Sequence, residues 1–125
     1  MSAPRKILIV DDEPDTVTFL CTYLEDNGYE TCSAQDGAQA LETMLREKPD
    51  LVILDVNMPT RTGVQLYREM TQNSGLSALP VVFITGLSEF QIFGKDCSAL
   101  PQPVACLEKP IDLQELLSAV KRATG

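Results

Sequence analysis

A chain of 125 residues, 44% hydrophobic and 22% charged, is long enough to bury one core and too apolar to be a disordered tail. Its net charge of −8 argues against a basic grip on a nucleic-acid backbone, and the absence of histidine rules out Ser-His or Cys-His nucleophilic pairs and imidazole-ligated zinc. No apolar run reaches the roughly 18 residues that cross a bilayer, and the ILIV stretch behind MSAPRK is too short for a secretory h-region; a cytoplasmic chain without direct membrane binding is expected.

Taken in chain order, short apolar runs alternate with longer amphipathic stretches. Lys6 to Val10 (KILIV) is continuously apolar behind its lysine, the pattern of a strand covered on both faces. Pro14 suits the first turn of a helix, with Asp12 as a candidate cap. Val17, Leu20, Cys21 and Leu24 then recur at helical spacing until Asn27-Gly28 stops the helix. Tyr29 to Ala34 is a weaker strand, and Asp36-Gly37 opens a second helix with Ala40, Leu41, Met44 and Leu45 as its apolar face. Leu51 to Leu54 (LVIL) is a strand that ends on Asp55.

A third helix from about Gly63 carries Val64, Leu66, Tyr67 and Met70 and fades near Asn73-Ser74-Gly75. Pro80 introduces a fourth strand, Val81 to Ile84, which ends at Thr85-Gly86. Ser88 to about Cys97 reads as helix, weakened by Gly94. Val104 to Leu107 is the fifth strand, ending at Lys109-Pro110. Asp112 then caps a last helix with Leu113, Leu116, Leu117 and Val120 on one face. The four cysteines, Cys21, Cys32, Cys97 and Cys106, form no C-x-x-C pair and read as small, reduced, apolar residues.

Repeated β-α units predict an α/β fold: a doubly wound, five-stranded parallel sheet with five helices on its two faces, forming one domain over residues 1–125. Sites in such sheets lie at the carboxyl ends of the strands, where strand order reverses. Four of the five strands end there on polar or ionisable residues: Asp11-Asp12, Asp55, Thr85 and Lys109. If the order is 2-1-3-4-5, the first and third strands are neighbours and the three acids converge.

Three carboxylates in one crevice repel, and burial sharpens the repulsion. A hard dication relieves it, and oxygen ligands suit Mg²⁺ better than zinc or copper. With Lys109 added, the charges of acids, metal and ammonium cancel, which prepares the site for an anion such as a phosphoryl group. Asp55, the lone acid ending a central strand, is the best nucleophile for an acyl phosphate. Asp11 and Asp12 suit the metal, Asn57 can offer it a backbone carbonyl, and Thr85 can donate a hydrogen bond to a phosphoryl oxygen.

Other readings of the same residues are weaker. Asp55 could cap the turn that follows it, and Asp11-Asp12 could be solvated helix-start acids. A phosphatase of the haloacid-dehalogenase type needs a second acid two residues after its nucleophile, and that position is Asn57. A flavodoxin-like cofactor module lacks a phosphate loop after the first strand, where DDEP is acidic. A scaffold that is never phosphorylated is the remaining alternative.

ILIVDDEPD, LVILDVNMP, VVFITG and LEKP, in this order and spacing, resemble the bacterial two-component response-regulator receiver domain over nearly the whole chain. The resemblance implies a flavodoxin-like sheet of order 2-1-3-4-5. It implies Asp55 as phosphoacceptor, forming 4-aspartylphosphate, and Asp11, Asp12, Asp55 and the Asn57 carbonyl as the Mg²⁺ site. Thr85 would be the switch hydroxyl and Lys109 the ammonium partner, with a cis bond before Pro110. The implied phosphoryl donor is a phosphohistidine on a sensor histidine kinase or histidine phosphotransfer protein, and the implied result is a switch in output contacts or dimerisation rather than turnover of an external substrate. Two departures stand out: Cys106 occupies the place where the family usually has Tyr or Phe, and the stretch around Leu100-Pro101-Gln102-Pro103 is longer than usual.

Overall fold

The computed structural model describes residues 5–55, 63–73, 75–76, 78–85 and 105–124, with Gly63, Val64 and Thr85 described by backbone alone. Five strands, β1 (Lys6–Val10), β2 (Glu30–Ala34), β3 (Leu51–Asp55), β4 (Val81–Thr85) and β5 (Ala105–Glu108), form one parallel sheet in the order β2-β1-β3-β4-β5. Four helices lie among the described residues: α1 (Pro14–Asp26), α2 (Gly37–Glu47), α3 (Gly63–Gln72) and α4 (Leu113–Thr124). The helix expected over Ser88 to Cys97 falls outside them.

The sheet is central because its strands are apolar on both faces. Side chains alternate across a strand with period two, and the core divides accordingly. Leu8, Val10, Val52, Leu54 and Phe83 face one layer with Ala40, Met44, Leu66, Tyr67 and Met70 of α2 and α3. Ile7, Ile9, Leu51, Ile53, Val82, Ile84 and Leu107 face the other with Leu20 and Leu24 of α1 and Leu116, Ala119 and Val120 of α4. Each fully buried Leu or Ile contributes about 1.5–3 kcal/mol of transfer free energy. In the first layer Tyr67 meets Phe83 edge to face, with ring centroids 4.9 Å apart.

Helix ends follow local chemistry, with one correction. The N-cap of α1 is Glu13, not Asp12, and its side chain makes no capping hydrogen bond. Asp11 does the nearby work instead, its Oδ1 accepting the Glu13 amide at 2.9 Å. Asp36 caps α2 as expected, accepting the Gln39 amide at 2.9 Å. Asp112 accepts the amides of Gln114 and Glu115 at 2.9 and 3.2 Å at the start of α4. Two boundaries shift by one residue: β2 starts at Glu30 rather than Tyr29, and β5 runs to Glu108 rather than Leu107.

Candidate functional site

Strand register brings the acids together. Val10 of β1 pairs with Leu54 of β3, so the next residues, Asp11 and Asp55, emerge side by side at the carboxyl edge of adjacent strands. Side-chain parity then aims them the same way. Ile7 and Ile9 share the α1/α4 face with Leu51 and Ile53, and residues 11 and 55 continue those two series. Both carboxylates are buried, at 1% and 2% exposure, and Asp12 beside them is half-buried.

Carboxylate oxygens of Asp11, Asp12 and Asp55 all lie within 4.8 Å of one another, a cluster that could hold a metal ion. Burial pushes the Asp11 carboxyl up to about 6; the Glu13 amide resists this, and the negative charge of Asp55 adds to it. The other Asp11 oxygen, Oδ2, is buried with no hydrogen-bond partner among the described residues. A buried carboxylate oxygen left without a partner costs folding free energy unless a proton or a cation meets it. Here the cluster offers oxygen ligands only, as hard divalent cations prefer.

Lys109 follows β5, two strands away from β3 in the sheet. Strands spaced about 4.8 Å apart leave roughly 10 Å to span, which the lysine stem and the turn together cover. Its Nζ reaches Asp55 Oδ2 at 3.3 Å. Burial alone would lower the ammonium, but the charge of Asp55 and their hydrogen bond outweigh it, so Lys109 sits above its ordinary value. The Lys109–Pro110 peptide bond is cis.

Of the residues singled out in the sequence, four meet in this crevice: Asp11, Asp12, Asp55 and Lys109. The Thr85 backbone ends β4, one residue beyond Ile84, the β4 partner of Asp55. Asn57 lies outside the described residues. Cys106 is half-buried against the α2/α3 layer, opposite Phe83 in the register. The backbone amide of Glu13, which holds Asp11 in place, was not anticipated from the sequence. An acid two residues before an amide, with proline next in line, is the signature of an Asx turn at a helix start, and D-D-E-P carries it.

Comparison with known proteins agrees with this geometry. The model of the response regulator receiver domain matches residues 7–121. Protein Rrf1 of Nitratidesulfovibrio vulgaris is 32% identical over 120 residues, covering 96% of this chain and 83% of its own length. Sporulation initiation phosphotransferase F of Bacillus subtilis is 33% identical over 120 residues, covering 94% of this chain and 92% of its own. Among solved structures, the signal receiver domain of a signal transduction histidine kinase from Syntrophus aciditrophicus superposes with a TM-score of 0.85 at 32% identity, over 96% of this chain and 89% of that one. No described helix is long and apolar enough to cross a membrane. An acidic crevice suited to phosphoacceptance, on this sheet and with these relatives, leads to one conclusion: the chain belongs to the response regulator receiver domain family, phosphorylation switches of phosphorelay signalling that work with a histidine kinase and are not enzymes for an external substrate.

Proposed function

We propose that Asp55 accepts a phosphoryl group from a phosphohistidine, on a sensor histidine kinase or a histidine phosphotransfer protein, with Mg²⁺ held by Asp11, Asp12, Asp55 and the Asn57 carbonyl. The observation that carries this reading is the Lys109 ammonium 3.3 Å from the Asp55 carboxylate, beside an oxygen cluster no wider than 4.8 Å. Oxygens bound to one Mg²⁺ at roughly 2.1 Å lie about 3–4 Å apart, so modest closure of the three carboxylates fits the ion. The unpartnered Asp11 Oδ2 supplies the reason for it to bind.

In the reaction an Asp55 oxygen attacks phosphorus in line, the bond from phosphorus to the donor imidazole breaks, and its electron pair leaves with the ring. Lys109 moves its ion pair from the Asp55 carboxylate to a phosphoryl oxygen, so its charge stays matched throughout. Thr85 donates its hydroxyl hydrogen to another phosphoryl oxygen. The Asn57 carbonyl completes the metal site. When bound, Mg²⁺ supplies positive charge that offsets the phosphoryl oxygens and the crowded acids. Burial of Asp11 and Asp55 keeps water from competing for these contacts. Residues 1–125 act as one receiver unit in the cytoplasm, and the phosphorylated state shifts an existing equilibrium toward a form that favours an output domain, a partner protein or a dimer.

The test is intact-mass analysis after incubation with acetyl phosphate and Mg²⁺. The wild-type chain gains the mass of one phosphoryl group, and neither Asp55→Asn nor an EDTA-treated sample does. A wild-type chain that stays unmodified under these conditions, and also with a phosphohistidine donor, leaves the scaffold reading in its place.

A further inference from the structure

At the end of the sheet opposite the acidic crevice, the described residues line a half-open pocket of about 390 Å³. Its walls are Met44, Leu45 and Lys48 from the end of α2, Pro49 before β3, and Leu76 and Leu79 before β4. Asp55 lies at the far end of β3, about 13 Å beyond its first residue at 3.3 Å per residue. The two sites are distinct.

The described wall residues are apolar except for Lys48. Leu45 is 55% exposed, one of two large apolar side chains, with Phe19, exposed to that degree among the described residues. Lys48 caps α2 in the left-handed conformation, φ 51°, with its amide bonded to the Met44 carbonyl, which fixes the direction in which its stem leaves the helix. Neighbouring basic groups are committed: Arg46 pairs with Glu42 and Glu47, Lys6 with Glu47, and Arg5 with Asp50. Lys48 forms no ion pair among the described residues.

We infer that this cavity binds a small amphiphile, a compact apolar body of medium-chain length bearing one anionic group, with the body against Leu45, Leu76 and Leu79 and the anion on Lys48. Its volume falls in the range of small-molecule sites. Charge complementarity selects the head group. The chain carries a net charge of −8 and repels anions in general, so an anion that binds must do so through a local cation.

Octanoate titrated into the 125-residue chain, followed by amide chemical shifts, tests the site. Saturable shifts are expected at residues 44–49 and 75–79, and octylamine is expected to produce none there. Lys48→Glu weakens octanoate binding about two- to fivefold, the scale of a lost exposed ion pair, and Leu45→Gln abolishes saturation. Both side chains are exposed, and unchanged circular dichroism shows that each variant still folds. Equal binding of octylamine, or shifts that survive both substitutions, overturns the assignment. So does a concentration-dependent dimer in sedimentation velocity that Leu45→Gln dissociates, without any octanoate shift, since that makes the face a contact between copies of the chain.

Discussion

At Asp11 a single carboxyl carries the conflict on which the proposed function depends. Burial raises its pKa from 3.8 to about 6 in the metal-free protein. A folded-state pKa above the unfolded one means that Asp11 weakens the fold progressively as pH rises through that window, because the native state must give up a proton it holds more tightly. Asp11→Asn is therefore expected to stabilise the metal-free protein at pH 7.5, by on the order of 1–2 kcal/mol in urea denaturation, and to leave stability at pH 3.5 nearly unchanged. A loss of stability at pH 7.5 would remove the claim that this carboxylate is strained. Lys109 is the opposite case, a cation that relieves charge. Lys109→Met leaves Asp55 buried without that ammonium and removes the group that follows the phosphoryl oxygens. The rate of mass gain from acetyl phosphate is expected to drop about a hundredfold, as when one charge-stabilising donor is lost. A rate within threefold of wild type would show that the 3.3 Å contact is structural only.

Among the elements, the strands were the most readable part of the sequence. KILIV and LVIL are buried on both faces, and that environment writes itself as continuous apolar residues. Helix faces were less readable. The sequence assigned Ala40, Leu41, Met44 and Leu45 to the core side of α2; Ala40 and Met44 are buried and Leu41 is half-buried against the same core, but Leu45 is exposed and Gly37 and Thr43 complete the buried face. Ala40 and Met44 belong to both sets, and the centres of the two faces differ by roughly 60° of helical rotation. A mid-helix threonine signals burial weakly, whereas leucine signals it strongly, so the apparent stripe leaned toward Leu41 and Leu45. The site acids were readable because adjacent charges at strand ends need a reason to exist. The Asp11–Glu13 turn was signalled only weakly, because the D-D-E-P pattern fits a solvated or capping acid equally well. Two caps separate structural from functional roles at this scale. Asp36→Ala is expected to cost about 1 kcal/mol in urea denaturation and to leave phosphorylation rate unchanged. Asp112→Ala is expected to cost a similar amount and also to slow phosphorylation, since Asp112 anchors the segment that follows Lys109. Equal rates in the two variants would deny that the start of α4 helps position the lysine.

For the molecule as a whole, the acidic crevice turns pH and divalent cation into opposing controls on one stability. Without metal, the Asp11 contribution falls between pH 3.8 and about 6 and stays low above it. With Mg²⁺ the sign reverses, because the ion binds the ionised cluster and competes with the proton, so binding strengthens as pH rises through the same window. Ligand linkage sets the size: at a hundred times the dissociation constant the folded state gains about 2.7 kcal/mol. For a domain of this length that corresponds to a rise in Tm of roughly 6–15 °C. Thermal denaturation of the wild-type chain at pH 7.5, in Mg²⁺ against EDTA, is expected to show such a rise. At pH 4.5 the rise is expected to shrink to a small fraction, as Asp11 holds its proton. Asp11→Asn should lose most of the rise at pH 7.5 while starting from a higher metal-free Tm. A shift that persists at pH 4.5, or survives in Asp11→Asn, would mean that the cation acts on the general surface charge of −8 rather than at the crevice. Salt that screens surface charge but does not coordinate carboxylates would then reproduce it.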